Sequence, residues 1–116
     1  EETRHLVDFD MISLMSQKGE DGIQCGNHIV NCARGGIIDE EGIFRALSNG
    51  QLTTASLDVF EVEPALKSNL LQLDGFQATP HIGASTNEAQ SRIGHEIVSI
   101  VQSHSKGETP DSCLNR

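Results

Sequence analysis

The sequence predicts an α/β fold: a short parallel sheet with helices packed on it, and only part of such a sheet. Three observations predict this. Apolar stretches at residues 28–33, 53–59 and 76–79 alternate with segments of helical pattern, and strands that alternate with helices pair in parallel. Only about three strands are present, so the sheet keeps two open edges and a bare face. The 116 residues hold four Phe and no Trp or Tyr. That is thin for a self-sufficient core, although a chain of this length can bury roughly two thirds of its unfolded surface.

Each element has a local cause. Asp8 or Asp10 can cap a short helix through about Met15, with Phe9, Ile12 and Met15 on one side. Residues 18–27 form a loop rich in Gly and acid. His28-Ile29-Val30-Asn31-Cys32-Ala33 reads as a strand that ends at Arg34-Gly35-Gly36. Asp39 is a good N-cap for a helix over 40–48, whose Glu40 and Glu41 suit its positive end. Asn49-Gly50 stops that helix. Residues 53–59 are β-rich and mostly uncharged, as a buried strand requires. Residues 61–74 form a loop around Pro64, with a helical turn near 68–73. A third strand covers 76–79. Ser85 and Glu88 fit a capping box, and Ala89, Ile93, Ile97, Ile100 and Val101 make one apolar stripe along a helix over 87–104. Residues 105–116, polar and containing Gly107 and Pro110, read as a linker or tail.

Composition narrows the function. Eight basic against seventeen acidic residues give a net charge of −9, with the acid spread along the chain. Nucleic acid is not expected as a partner, since phosphate binding needs a basic face. No run approaches the ~18 apolar residues of a membrane span, and no signal segment opens the chain. Three scattered cysteines, Cys25, Cys32 and Cys113, have no metal-ligand spacing. They fit reduced thiols in a cytoplasmic protein, with no metal site.

Ligands of open parallel sheets sit beyond the carboxyl ends of the strands. Each strand end here carries a polar group. The first ends in Arg34, the second in Asp58 with Glu61-Val62-Glu63-Pro64 behind it, and the third in Thr79-Pro80-His81. Arginine offers a rigid fork for a carboxylate or carbonyl. Histidine exchanges a proton near neutral pH, and a carboxylate on its far nitrogen fixes the tautomer and favours the imidazolium. Together they suit proton transfer to or from an alcohol or ketone next to a carboxylate. The Gly35-Gly36 and Gly83-Ala84 turns allow close approach of a ligand to backbone. Singly, each residue has a plainer reading: Arg34 in a surface ion pair, His81 in a turn, Asp58 and Glu63 as solvated loop acids.

Three segments carry a more specific signal: Asn31-Cys32-Ala33-Arg34-Gly35-Gly36-Ile37-Ile38-Asp39-Glu40, then Leu57-Asp58-Val59-Phe60-Glu61-Val62-Glu63-Pro64, then Thr79-Pro80-His81-Ile82-Gly83-Ala84-Ser85-Thr86 with Glu88-Ala89-Gln90. Their order and spacing resemble the NAD-dependent D-2-hydroxyacid dehydrogenases over about residues 3–102. The resemblance implies the C-terminal half of a doubly wound, Rossmann-like NAD-binding domain at residues 1–104. It implies NAD as cofactor, a small 2-hydroxy acid as substrate and a homo-oligomeric parent. By position, Arg34 matches the arginine that holds substrate carboxylate and carbonyl, His81 the acid/base, and Glu63 its carboxylate partner. Asp58 matches the acid that meets the nicotinamide carboxamide. The backbone of Cys32, Ala33, Ile82, Gly83 and Ala84 would line the cofactor, with Arg34 and His81 beside it.

Within the family, the Asn31-Cys32-Ala33 run and Glu88-Ala89-Gln90 point to oxidation of 3-phosphoglycerate to 3-phosphohydroxypyruvate, the first step of serine synthesis. Two alternatives stay open: an NAD-binding corepressor-like module of the same family, and a chain inactive by itself. The sequence departs from the family pattern in two ways. The glycine-rich phosphate loop and the substrate-binding domain are not in this sequence, and Gly22-Ile23-Gln24-Cys25-Gly26-Asn27 is an insertion where a short basic-glycine turn is usual.

Overall fold

In a computed structural model, which describes residues 2–110, 112 and 113, the order is α1 (Phe9–Ser13), β1 (His28–Asn31), α2 (Glu40–Ser48), β2 (Thr54–Leu57), a 3₁₀ turn (Asn69–Gln72), β3 (Phe76–Ala78) and α3 (Asn87–Ser105). The chain divides into two compact units, 1–81 and 82–116.

The caps in the first unit follow the sequence closely. Asp8 accepts the N–H of Met11 to start α1, and Asp39 accepts that of Glu41 to start α2. Ser68 caps the 3₁₀ turn through the N–H of Leu70. The strands are shorter than their apolar stretches, because pairing stops where the backbone turns onto the rim.

All three strands are parallel, in the order β1-β2-β3. Ile29 lies opposite Ala55, Asn31 opposite Leu57, and Leu57 opposite Ala78. These residues alternate toward one face, where Ile12, Ile38, Ile43, Ala46 and Leu52 complete the core. Phe60 and Phe76 meet edge to face at 6.4 Å between ring centroids, a favoured aromatic geometry. The opposite face carries His28, Val30 and Gln77, all exposed. Among the described residues, β1 and β3 pair on one side only. The bare face and open edges expected of a three-stranded parallel sheet are therefore present.

The loop over 18–27, which holds the insertion, folds on itself at the surface. Gly19 donates to the carbonyl of Ile23, Cys25 donates to that of Gln17, and Lys18 bridges Gln24. Its backbone groups are satisfied locally or in water, so β1 starts undisturbed. Thr53 donates to the carbonyl of Asn27 just before the strands pair.

In the second unit, α3 begins one residue later than the capping box implies. Thr86, not Ser85, is the cap, and it accepts the N–H of Ala89 at 3.1 Å. Ser85 lies in the preceding turn, which its N–H closes onto the carbonyl of Ile82 at 2.8 Å. The helix runs to Ser105, one residue past the expected end, and none of its residues is buried. Residues 106–110, 112 and 113 are turn or irregular, and the rest of the expected tail lies outside the described residues.

Candidate active site

Parallel strands deliver their carboxyl ends to one rim, so the segments after β1, β2 and β3 gather there. Asn31 organises the first. It is buried, its Oδ1 accepts the N–H of Ala33 at 2.9 Å, and its Nδ2 donates to the carbonyl of Arg34 at 3.0 Å. This Asx-type turn fixes the backbone that carries Arg34. The guanidinium donates to the carbonyl of Ala33 at 2.6 Å and makes no ion pair among the described residues. Arg34 thus shares the rim with His81 and Glu63 but does not touch them. The N–H of Ala33 is committed to Asn31, while its carbonyl, held by Arg34 alone, keeps a second lone pair for a ligand.

Asp58 ends the second strand. It is 4 % exposed, and its Oδ1 accepts the hydroxyl of Thr79 at 2.6 Å, across from β2 to the end of β3. With Cys32, Ser56 and Thr79 it borders a recess of about 90 Å³. Two of the expected cofactor residues, Cys32 and Asp58, therefore meet at one place.

The third segment brings the expected proton-transfer pair, Glu63 and His81, together. His81 Nδ1 lies 2.8 Å from Glu63 Oε2. A carboxylate offers only lone pairs, so Nδ1 carries the proton and donates. Nε2 has no partner among the described residues, and the imidazole is 49 % exposed, so a substrate can reach it. The other carboxylate oxygen, Oε1, accepts the N–H of Phe60 at 3.1 Å. His81 has φ +54°, a left-handed backbone that costs of order 1–3 kcal/mol outside glycine and that histidine, with Asn and Asp, adopts more readily than most. Pro80 sets the approach, and the bond to Glu63 holds the ring. Phe60, Pro64, Leu66 and Leu71 give the pair an apolar groove of about 470 Å³.

The carboxyl of Glu63 is held below its ordinary range. The hydrogen bond from His81 is the main cause and the N–H of Phe60 the next; the nearby Asp58 works in the opposite direction. A depressed carboxyl contributes fully above its ordinary pKa and loses that contribution as pH falls through the lowered one. The Glu63–His81 pair therefore holds across neutral pH and breaks in acid.

Ile82, Gly83 and Ala84 open the second unit. The carbonyl of Ile82 accepts from Ser85 at 2.8 Å, and that of Ala84 accepts from the Gln90 side chain at 3.4 Å. Away from the rim, ligand atoms of His5, Asp39 and Glu61 lie within 4.8 Å of one another. Structural bonds already use them: Glu61 lies between Arg4 at 3.0 Å and His5 at 2.9 Å, and Asp39 caps α2.

The family model of the D-isomer specific 2-hydroxyacid dehydrogenase NAD binding domain matches residues 1–83. The chain belongs to this family. The matched span includes Arg34, Asp58, Glu63 and His81. A D-3-phosphoglycerate dehydrogenase of Methanocaldococcus jannaschii is 41% identical over 97% of this chain and 20% of its own length. A hydroxypyruvate reductase of Thermotoga maritima is 48% identical over 84% of this chain and 30% of its own. Among solved structures, a D-lactate dehydrogenase of Aquifex aeolicus, complexed with NAD and lactic acid, superposes with a TM-score of 0.75 at 32% identity, over 92% of this chain and 34% of that one. The chain thus spans between 20% and 34% of the length of these relatives.

Three contacts of this rim were not anticipated from the sequence: the turn made by Asn31, the Thr79 hydroxyl on Asp58 and the Phe60 amide on Glu63. An Asn just before a Gly-Gly turn is a legible Asx signal for the first. Nothing in sequence marks the hydroxyl of Thr79 as the partner of Asp58, or the amide of Phe60 as the second hold on Glu63, because both bonds depend on how the loops fold over the rim.

Proposed function

We propose that this chain forms the catalytic rim of an NAD-dependent D-2-hydroxyacid dehydrogenase, and that its substrate is 3-phosphoglycerate, oxidised to 3-phosphohydroxypyruvate. The observation that carries the reading is the 2.8 Å pair of Glu63 and His81, with Nδ1 committed and Nε2 open. In oxidation, Nε2 takes the hydroxyl proton as general base, and Glu63 stabilises the imidazolium that results. Arg34 turns from the Ala33 carbonyl to hold the substrate carboxylate and carbonyl oxygen. When bound, the nicotinamide supplies the hydride acceptor.

The residues present suit one end of the cofactor. Asp58 is a buried acceptor beside a recess, fit for the N–H of the nicotinamide carboxamide. Cys32 and Ala33 would line the same end, and the family resemblance assigns the backbone of Ile82, Gly83 and Ala84 to the cofactor as well. A pyrophosphate is ordinarily held by a glycine-rich turn and a helix N-terminus, and the sequence has no G-x-G-x-x-G. Similarity over nearly the whole chain to a D-3-phosphoglycerate dehydrogenase favours that substrate over hydroxypyruvate or lactate. Cys25 and Cys32 are exposed thiols, which fits a reducing, cytoplasmic setting, and no described helix is long and apolar enough to cross a membrane. The test is NADH formation by the full-length protein with 3-phosphoglycerate, D-glycerate and D-lactate. 3-Phosphoglycerate should give the highest kcat/KM. A preference for either other acid would overturn the substrate, and no turnover with any of them would overturn the activity.

Glu63→Gln should narrow the pH range. Glutamine keeps the shape but brings no charge to favour the imidazolium. Reduction needs that proton, so its rate should fall away at neutral and higher pH, where the native enzyme still works. Superimposable pH–rate profiles for variant and native enzyme, in both directions, would dismiss the pairing as a catalytic device.

A further inference from the structure

The sequence reading left Gly35 open to a ligand. In the fold that space belongs to the protein's own backbone. A Cβ built on Gly35 would lie 1.8 Å from the carbonyl oxygen of Phe60, 2.4 Å from its carbon and 3.1 Å from the nitrogen of Glu61. These three atoms make up one peptide unit. The N–H of the same unit donates to Glu40 Oε1, in the first turn of α2, at 2.6 Å. The Glu61 side chain that follows is pinned by Arg4 and His5. The peptide just before it supplies the Phe60 N–H that holds Glu63 Oε1.

We propose that Gly35 and Glu40 are positioning residues for Glu63: they grip the Phe60–Glu61 peptide from its two sides, and so aim the amide that holds the carboxylate facing His81. Gly35 also follows Arg34 directly. The same contact therefore sets the arginine-bearing turn against the loop that carries Glu63, and links two strand ends that share no side-chain bond. Any side chain at 35 must push a backbone unit aside, since no flexible group is there to yield. Glu40 suits its place for a second reason, because an acid in the first turn of a helix also meets the positive end of the helix dipole.

The proposal rests on Glu63 being the partner of the acid/base, so its test separates the two ideas. The full-length protein, carbon-13 labelled in glutamate, is titrated by NMR as native, Gly35→Ala, Glu40→Ala and Glu40→Gln, with Glu63→Gln assigning the signal. His81 and Asp58 are the charged groups that act on Glu63, and neither is altered. Displacing the Phe60 amide removes one donor from the carboxylate, so the Glu63 midpoint should rise toward the ordinary value in Gly35→Ala and, by less, in Glu40→Ala. Glu40→Gln keeps an acceptor for the Glu61 N–H and should restore the native midpoint. In kinetics, kcat should fall by up to ~10²-fold in Gly35→Ala, as misplacement of about 1 Å can do, with KM for NAD unchanged and the acid limb of the pH profile moved upward.

Should Gly35→Ala not fold, the two Glu40 variants decide the matter. An unmoved Glu63 midpoint in the folded variants overturns the positioning role. A midpoint that moves while Glu63→Gln keeps native turnover supports the positioning and overturns the catalytic reading of Glu63.

Discussion

His81→Asn in the full-length protein is expected to lower kcat by ~10²–10⁴-fold, the usual worth of a general acid/base, while NAD still binds. Asparagine suits the test on two counts. It tolerates the left-handed backbone that position 81 adopts, at φ +54°, so the Pro80-to-Gly83 turn is not broken. Its amide can still donate to Glu63, so the carboxylate keeps a partner and the groove beside Phe60 and Pro64 keeps its wall. What it lacks is a nitrogen that takes up and returns a proton near neutral pH. The expected signature is a loss confined to kcat, with the thermal midpoint and NAD affinity retained. Stopped-flow turnover beside a calorimetric NAD titration measures both. Native kcat in this variant would remove His81 as the acid/base. Lost NAD affinity at near-native kcat would recast it as a binding residue.

The second large effect concerns the 116-residue chain alone, which is expected to bind NAD weakly or not at all. Most of the hold on a dinucleotide comes from backbone amides at a glycine-rich turn and a helix N-terminus, and this sequence has no such turn. What the rim offers is small. Asp58 is one acceptor, already shared with the hydroxyl of Thr79. The N–H of Ala33 is spent on Asn31, and its carbonyl is one further acceptor. The bare sheet face and the open edge of β1 add a competing process, since unpaired strand edges recruit one another. Titration calorimetry with NAD, run beside sedimentation to read self-association, is the measurement. A micromolar dissociation constant, about −8 kcal/mol, would show that this part of the domain suffices for the cofactor.

Much of this was legible in the sequence because its causes are local. Asp8 and Asp39 cap what they precede, since a short acceptor side chain reaches only the next few amides. Alternation of apolar stretches with helical pattern gives parallel strands, and parallel strands give a shared rim. The order of Arg34, Asp58, Glu63 and His81 along three strand ends therefore already implied that they share one rim. Where the local rule failed, it failed by one residue: Ser85 fits a cap by spacing, but the chain is still in the turn that its amide closes onto Ile82, and Thr86 takes the role.

Tertiary structure decided how the rim is joined. Which oxygen of Glu63 faces His81 and which faces the Phe60 amide, that Thr79 is the group held by Asp58, and that Arg34 rests on its own neighbour are matters of ångströms between loops far apart in sequence. Gly35 shows the difference most plainly. From the sequence it is a small residue that leaves room for a ligand. In the fold that room is filled by the Phe60–Glu61 peptide, because a glycine's missing side chain reveals only that something comes close, and the packing of the chain determines what.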